Sequence, residues 1–471
     1  MRGISDGTAL LSEDAQARGL ALGRIRDTGA TTVRIPVNWR DVVSAAPSAG
    51  FDARDAASPA YRFARIDSAV NSAVAAGLDP LLVVSHAPGF AEAPHRWPYA
   101  YPGSWAPSPE ALESFAAALA RRYDGAFPDP LAPGHALGRV RMLQAWNEPN
   151  LPRYLEPQWI AVNGRWRAFS PLLYRQMLNA FYTGVKSVEP KDLVVAAGLA
   201  PNGEPDGVGR MAPVRFLREL LCLESRASCH APPRFDVLAF HPLSVGSPDA
   251  AAASSLDVAI SDTAKVTGLL RRAERLQTAL PARAKPVWVT ELNWESASAT
   301  TSAGVPDRLQ ASWISRALHR LWVAGVTLVD WQFLVDPYPG VRASAPTGTT
   351  IEYPRPAGLY AAGPGGDARK AIPKAFLRGF TLPFDPLRVD PRRVRIWALL
   401  MHPRQPVLLQ RQGRMPSQRR RLSWRTVARL HADRDGVLNV LVSVTGAVRL
   451  RLRSGALTSA LALVPRRQSR L

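Results

Sequence analysis

Short apolar runs alternate with amphipathic segments along the first ~380 residues of the chain. Two of the runs, residues 81–86 and 193–198, have the nearly continuous apolar character of strands that are buried on both faces of a sheet. Eight strands that alternate with helices predict a parallel (β/α)8 barrel, the TIM-barrel fold. The predicted strands are residues 3–5, 32–39, 81–86, 139–145, 193–198, 235–241, 286–290 and 327–331.

Helix boundaries follow from capping residues. Pro109 stands at a first helical position, and Gly29, Gly77 and Gly325 each follow the end of a periodic segment. The predicted helices are residues 13–27, 65–76, 109–123, 170–188, 257–280, 307–324 and 370–378.

The pattern changes after residue 381 to short runs with β character. These runs are residues 394–400, 407–410, 424–430, 437–444 and 448–452, and Asp435-Gly436 between two of them is a hairpin signal. We therefore predict a barrel domain over residues 1–381, followed by a small antiparallel β-sandwich over residues 382–471. A chain of 471 residues is long enough for both.

Two glutamates occupy equivalent positions in the predicted barrel. Glu148 lies in Trp-Asn-Glu-Pro-Asn, directly after the strand at 139–145, and Glu291 follows the strand at 286–290. Because the carboxyl ends of the strands converge on one face of a parallel barrel, we expect the two carboxylates to be neighbours. Two facing carboxylates are the arrangement that glycoside hydrolysis uses.

The segments Trp-Asn-Glu-Pro-Asn-Leu at 146–151 and Thr-Glu-Leu-Asn-Trp at 290–294 resemble the acid/base and nucleophile motifs of retaining clan A glycoside hydrolases. The family 39 and family 5 types are the most similar, over about residues 1–380. The resemblance implies that Glu291 is the nucleophile and Glu148 the acid/base in a double displacement that cleaves a β-glycoside or polysaccharide. It implies no cofactor and no metal.

The same resemblance indicates substrate-binding residues. Arg34 matches the arginine beside the nucleophile, and Asn147 matches the asparagine that bonds the sugar 2-hydroxyl. Further candidates lie at strand ends or in rim loops: His86, His241, Trp294, and Trp331 as the floor under the sugar ring. Each of these four could instead pack the barrel rim.

The chain departs from the family pattern after His241. A tyrosine that orients the nucleophile is common there, whereas this chain has Pro242 and Leu243. Either another donor holds Glu291 or activity is weakened. Asn293 also stands where a glycine is common.

The charge is concentrated in the second domain. Residues 382–471 contain 19 arginines, no lysine and four acidic residues, which is +15 of the net +21. Such a surface favours an anionic partner: an acidic cell-wall polymer, a phospholipid surface or nucleic acid. A nucleic acid is disfavoured because no zinc knuckle, helix-turn-helix or RNP-like strand is present. A merely solvated basic surface is the remaining interpretation.

Cys222 and Cys229 are the two cysteines of the chain, and their spacing allows a small disulfide loop or two separate thiols. A disulfide favours an extracellular or cell-surface location. Residues 1–6 are not a signal peptide, so export requires a leader upstream. The sequence contains no uninterrupted apolar stretch of about 20 residues, so a membrane span is not expected.

A non-catalytic barrel that binds a glycan or a cell-wall polymer is the alternative to an enzyme. Such a protein is expected to lack one of the two catalytic carboxylates. Neither Glu148 nor Glu291 is missing.

Overall fold

Eight parallel strands close into a barrel, in which each strand pairs with the next one along the chain and the eighth pairs with the first. The computed structural model describes residues 1–43, 50–224, 229, 231–244, 246–297, 304–336, 342–344, 350–352, 356–415 and 418–466. Barrel strands 1 to 8 are Arg2–Ser5, Thr32–Asn38, Asp79–Ser85, Met142–Ala145, Leu193–Leu199, Val237–Phe240, Val287–Leu292 and Val326–Gln332. The predicted (β/α)8 barrel is confirmed.

Helices surround the barrel, and in the described part of the chain none of them combines the length and apolar content needed to cross a membrane. The α-helices are Gly7–Leu10, Ala15–Asp27, Trp39–Val42, Ala64–Ala75, Pro109–Arg122, Ser170–Val188, Pro213–Leu220, Thr263–Arg275, Asp307–Val323 and Ala375–Thr381. Short 3-10 turns are Gly89–Ala91, Ile260–Asp262, Pro364–Gly366 and Ala368–Lys370.

Two predicted helices start later than expected. The helix predicted over 257–280 is Thr263–Arg275, because Asp262 accepts hydrogen bonds from the backbone N–H groups of Ala252 and Ala259 and closes a 3-10 turn first. The helix predicted over 370–378 is Ala375–Thr381, because Ile372–Pro373 pairs with Tyr360–Ala361.

Three small two-stranded sheets lie outside the barrel and the sandwich. They pair Trp159–Val162 with Arg165–Ala168, Arg342–Ser344 with Thr350–Glu352, and Tyr360–Ala361 with Ile372–Pro373. The first is a hairpin in the long connection after barrel strand 4.

The barrel interior is apolar at one level and polar above it. Residues early in the strands form a packed cluster: Leu81, Met142, Val195, Val237, Ala239, Trp288 and Leu328. Residues further along the same strands are polar, and they include Gln144, Thr290 and Asp330. The apolar layer closes the barrel, so the polar groups are held at its carboxyl end, where TIM barrels carry their sites.

The C-terminal strands form two antiparallel sheets, which confirms the predicted sandwich. The first sheet contains Phe384–Arg388, Arg393–Leu399 and Val437–Ser443, in that order. The second contains Gln418–Leu430, Val407–Met415 and Val448–Ser454, with Leu457–Thr458 and Ala462–Val464 pairing with the last of these. Val394, Ile396, Leu409, Leu438 and Leu450 belong to the core of the sandwich.

The hairpin predicted at Asp435-Gly436 is wrong, although a turn is present. The Asp433 carboxylate accepts from the backbone N–H groups of Asp435 and Val437, and Gly436 has a φ of +80°. The strand before this turn belongs to the second sheet and the strand after it to the first. The turn therefore passes the chain between the sheets, which a dipeptide signal does not distinguish from a hairpin.

The first sandwich sheet packs against the barrel helix Asp307–Val323. Asp385 accepts from the ring of His319 at 2.6 Å and from Arg316 at 3.2 Å, and Trp397 stacks on His319 with ring centroids 4.7 Å apart.

Cys222 and Cys229 form a disulfide, which was one of the two arrangements that their spacing allowed.

Candidate active site

The segment after barrel strand 4 holds Glu148 in a constrained backbone. Trp146 and Glu148 have φ values of +73° and +40°, which non-glycine residues rarely adopt and which cluster at functional sites. The Glu148 N–H donates to the carbonyl of Gly198, and the Asn150 side chain bonds the backbone of Ala200 and Met211. Neighbouring loops thus fix the conformation that presents the Glu148 carboxylate.

Glu291 reaches the site through an irregularity in barrel strand 7. Val289 pairs with Val329 and Leu292 with Trp331, so Thr290 and Glu291 together oppose the single residue Asp330. Such a bulge re-aims side chains. It allows consecutive residues, Thr290 and Glu291, both to contact groups in the barrel interior.

Both oxygens of the Glu291 carboxylate accept a hydrogen bond. Arg34 Nη1 donates to Oε1 at 2.7 Å, and Gln332 Nε2 donates to Oε2 at 2.8 Å. Glu291 is 8% exposed, and Arg34 beside it is buried as well. The two donors fix the carboxylate plane.

Arg34 links the two glutamate-bearing loops. Besides Glu291, its guanidinium donates to Ser5 Oγ at 3.2 Å and, through Nη2, to Asn147 Oδ1 at 2.6 Å. Since the amide oxygen of Asn147 is bound to Arg34, its NH2 group is what remains to donate to a ligand.

His241 contacts Glu148 and the residue that precedes Glu291. Its Nδ1 lies 2.9 Å from Glu148 Oε1 and its Nε2 lies 3.0 Å from Thr290 Oγ1. A neutral imidazole has one donor and one acceptor nitrogen. The nitrogen that donates to one partner therefore obliges the other nitrogen to accept from the other partner, so the hydrogen bonds to Thr290 and Glu148 depend on each other.

The carboxylates of Glu148 and Glu291 are neighbours, as the sequence predicted. One oxygen of each, together with a ring nitrogen of His241, lies within 4.8 Å of the others. These three atoms could contact a divalent cation, but the Arg34 guanidinium already neutralises Glu291 and repels a second positive charge. A cleft of about 480 Å³ opens beside Glu148, and Arg210, Leu243, Asn293 and Trp294 are among its lining residues.

Three of the predicted binding residues, His86, Trp294 and Trp331, make no hydrogen bond with either glutamate in the described structure. His86 lies at the end of barrel strand 3, where it contacts Ser85 Oγ at 2.9 Å and packs on the Tyr154 ring. Burial, together with the charges of Arg153 and Arg40, lowers the pKa of His86 to about 4. No contact within the described residues joins His86 to either glutamate, and the ring is neutral at ordinary pH.

The prediction that Trp331 forms a floor under a sugar ring is wrong. Its side chain is completely buried, packs against Phe376 and Phe380, and donates to the carbonyl of Ala357. Side chains alternate along a strand, and since Asp330 and Gln332 face the interior, Trp331 faces the helices. Trp294 lines the cleft but is only 4% exposed, and its indole donates to the carbonyl of Gly246.

The structure adds two residues to the site that the sequence did not indicate. Gln332 donates to Glu291 and accepts from Asn293 Nδ2 at 2.5 Å. Asp330 lies below it, fully buried, with Oδ1 accepting from Thr32 and no partner for Oδ2 in the described structure. Burial raises the pKa of Asp330 to about 7. The period-two alternation of barrel strand 8 was the signal that could have identified both.

Neither a scan against models of known protein families nor a search of curated proteins finds a match. Solved structures share the fold. One is a family 39 glycoside hydrolase from the gut symbiont Bacteroides cellulosilyticus WH2, with a TM-score of 0.51 and 16% identity over 94% of this chain and 79% of that one. Another is the family 39 enzyme of Xanthomonas axonopodis pv. citri, with a TM-score of 0.50 and 15% identity over 94% and 91%. At these identities the likeness establishes the fold alone.

Proposed function

We propose that the protein is a retaining glycoside hydrolase. The carrying observation is that one carboxylate oxygen of Glu148 and one of Glu291 lie within 4.8 Å of each other. Retaining enzymes hold their two carboxyl groups ~5–5.5 Å apart, whereas inverting enzymes separate them by ~6.5–9.5 Å to admit a water molecule. The short separation favours direct attack on the sugar by one carboxylate. The fold shared with family 39 structures agrees with this proposal.

In the first step, an oxygen of Glu291 forms a bond to the anomeric carbon while the glycosidic C–O bond breaks. Glu148 gives its proton to the departing oxygen, so the leaving group departs as an alcohol. In the second step, Glu148 removes a proton from water, the water oxygen bonds to the anomeric carbon, and the Glu291 carboxylate leaves. Both glutamates regain their starting states.

The neighbours of the glutamates have separate tasks in this mechanism. Arg34 and Gln332 hold the nucleophile by one oxygen each, which leaves the carboxylate oriented before substrate binds. Asn147, anchored on Arg34, offers its amide N–H2 to a sugar hydroxyl. His241 adjusts its tautomer to the protonation state of Glu148, because either partner of the hydrogen bond can carry the proton.

A barrel that binds a glycan without cleaving it is the second candidate. It is not favoured, because it gives no reason for two carboxylates to be held this close with a dedicated donor on each oxygen of Glu291.

For its location, we propose that the protein acts outside the reducing cytosol, and the Cys222–Cys229 disulfide supports this. An anionic polymer as partner of the basic C-terminal domain belongs to the same proposal.

The test is hydrolysis of a panel of aryl glycosides by the purified chain, with Glu291→Gln and Glu148→Gln measured beside it. We expect one glycoside to be cleaved with retention at the anomeric carbon. Glu291→Gln should lose activity by on the order of 10⁴-fold or more, and Glu148→Gln by about 10²–10⁴-fold. Glu148→Gln should be least affected on leaving groups that need no proton. Inversion, or full activity in either variant, would refute the proposal.

A further inference from the structure

The second sandwich sheet bears a row of arginines on its outer face. Arg449, Arg451 and Arg453 occupy alternate positions of the strand Val448–Ser454, whose other residues are buried in the sandwich. Alternate residues of a strand point to the same face and stand about 7 Å apart. We call these three residues the arginine ladder.

Neutral groups hold the ladder in place. Arg449 donates to Gln412 Oε1 at 3.2 Å, and Arg451 donates to Gln410 Oε1 at 2.8 Å. The Arg451 guanidinium also lies over the Trp424 ring, 4.0 Å from its centroid. These contacts orient the guanidinium groups and leave their charge uncompensated, because amides and indole carry no net charge.

The surroundings of the ladder are strongly basic. The strands of the second sheet contain ten arginines and no acidic residue, and within the described residues no ladder arginine forms an ion pair. Arg451 also lines a groove of about 1070 Å³ between the sheet and the barrel, where Arg308 and Arg378 stand with Asp27 and Asp307. Like charges at this density favour an anionic ligand that contacts several of them.

We propose that the arginine ladder binds a polysaccharide that bears carboxylate groups; this ligand class rests on the proposed glycosidase function. Arginine forks pair with carboxylates through two parallel hydrogen bonds. A polymer presents such groups repeatedly and can engage the whole ladder. A single-stranded nucleic acid fits less well, because it needs aromatic platforms for stacking, and Trp424, whose ring contacts the ladder, is covered by Arg451.

The test uses the full chain with Glu291→Gln, so that bound polymer is not cleaved. Binding of polygalacturonate is compared with binding of a neutral polysaccharide and of single-stranded DNA at one salt concentration. Arg449→Gln, Arg451→Gln and Arg453→Gln are combined in one variant. The matched control combines Arg392→Gln, Arg395→Gln and Arg404→Gln, which remove the same charge elsewhere in the domain.

We expect polygalacturonate to bind more tightly than either other polymer, with an affinity that falls as salt rises. The ladder variant should weaken binding at least tenfold and the control variant less than threefold, with unchanged circular dichroism in both. In the chain that retains Glu291, the ladder variant should leave cleavage of a small aryl glycoside unchanged. Equal losses in both variants, or DNA binding as tight as polygalacturonate binding, would overturn the inference. Binding without any hydrolysis would defeat only the glycosidase proposal.

Discussion

Arg34, at the carboxyl end of the barrel, forms an ion pair, whereas within the described residues no arginine of the ladder on the outer sandwich sheet forms one. Arg34 is buried, and its guanidinium contacts Glu291, Ser5 and Asn147. Arg451 lies on the sheet surface beside Arg453, and its hydrogen bond goes to the neutral side chain of Gln410. Burial and the charge of Arg453 lower the pKa of Arg451, whereas no acidic group raises it.

The difference separates two uses of the same residue. A buried arginine must be paired, because removing its charge from water without a counter-ion costs several kcal/mol. An exposed arginine pays no such cost, so its charge remains for a ligand. Burial therefore explains why Arg34 is paired, and a dense row of arginines without ion pairs agrees with a role in binding a partner.

The largest expected effect comes from substituting Arg34, the paired arginine. Arg34→Gln leaves Glu291 buried without its counter-ion, and we expect a loss of about 3–5 kcal/mol in the free energy of unfolding. Activity should fall by on the order of 10² or more, because an oriented charge beside the reacting carboxylate is lost. Urea unfolding and aryl glycoside hydrolysis measure the two quantities.

Arg449→Gln is the matched control for Arg34→Gln. It removes one arginine that has no carboxylate partner, so the free energy of unfolding should change by no more than about 0.5 kcal/mol. Arg34→Lys should recover only part of the activity, since an ammonium cannot bridge Glu291 and Asn147 as the planar fork does. Equal destabilisation by Arg34→Gln and Arg449→Gln would mean that pairing does not distinguish the two regions.

A smaller effect is expected from the second donor to Glu291. Gln332→Leu removes the hydrogen bond to Oε2 and should lower kcat by about tenfold, with little change in KM, since the group orients the nucleophile and not the sugar.

Asn293→Ala sharpens the role of Gln332. This change removes the hydrogen bond that anchors Gln332 Oε1 but leaves its Nε2 able to donate to Glu291, so kcat should fall less than in Gln332→Leu. A merely structural role for Gln332 would instead lower the free energy of unfolding in both variants without a fall in kcat at unchanged KM.

Sequence reasoning located the residues that lie at strand ends. Glu148 and Glu291 follow apolar runs, and the geometry of a parallel barrel is sufficient to bring such positions together. Arg34 was placed beside Glu291 by the family resemblance, and the ion pair at 2.7 Å agrees with that placement. The local sequence pattern and the fold class together were sufficient to predict that the two glutamates are neighbours.

Residues whose role depends on register were missed or misplaced. Trp331 was a candidate because it lies at the end of a predicted barrel strand, yet the strand turns its neighbours Asp330 and Gln332 to the interior. The donor that stands where a tyrosine was expected comes from barrel strand 8, not from the segment after His241. Strand register and the bulge at Glu291 arise from long-range pairing, which the local sequence does not determine.

A pH-dependent effect is expected from Asp330, a buried carboxylate whose Oδ2 has no partner in the described structure. Because burial raises its pKa to about 7, the folded protein holds this proton at pH values where the unfolded chain, with an ordinary aspartate, has lost it. The contribution of Asp330 to stability is therefore full below about pH 4 and is lost as pH rises to about 7. Asp330→Asn should become more stable relative to the wild type over this interval, by at most about 1.4 kcal/mol per pH unit. Chemical unfolding at several pH values measures the difference, with the exposed Asp435→Asn as control; a difference that does not vary with pH would show that Asp330 is ionised in the folded state throughout.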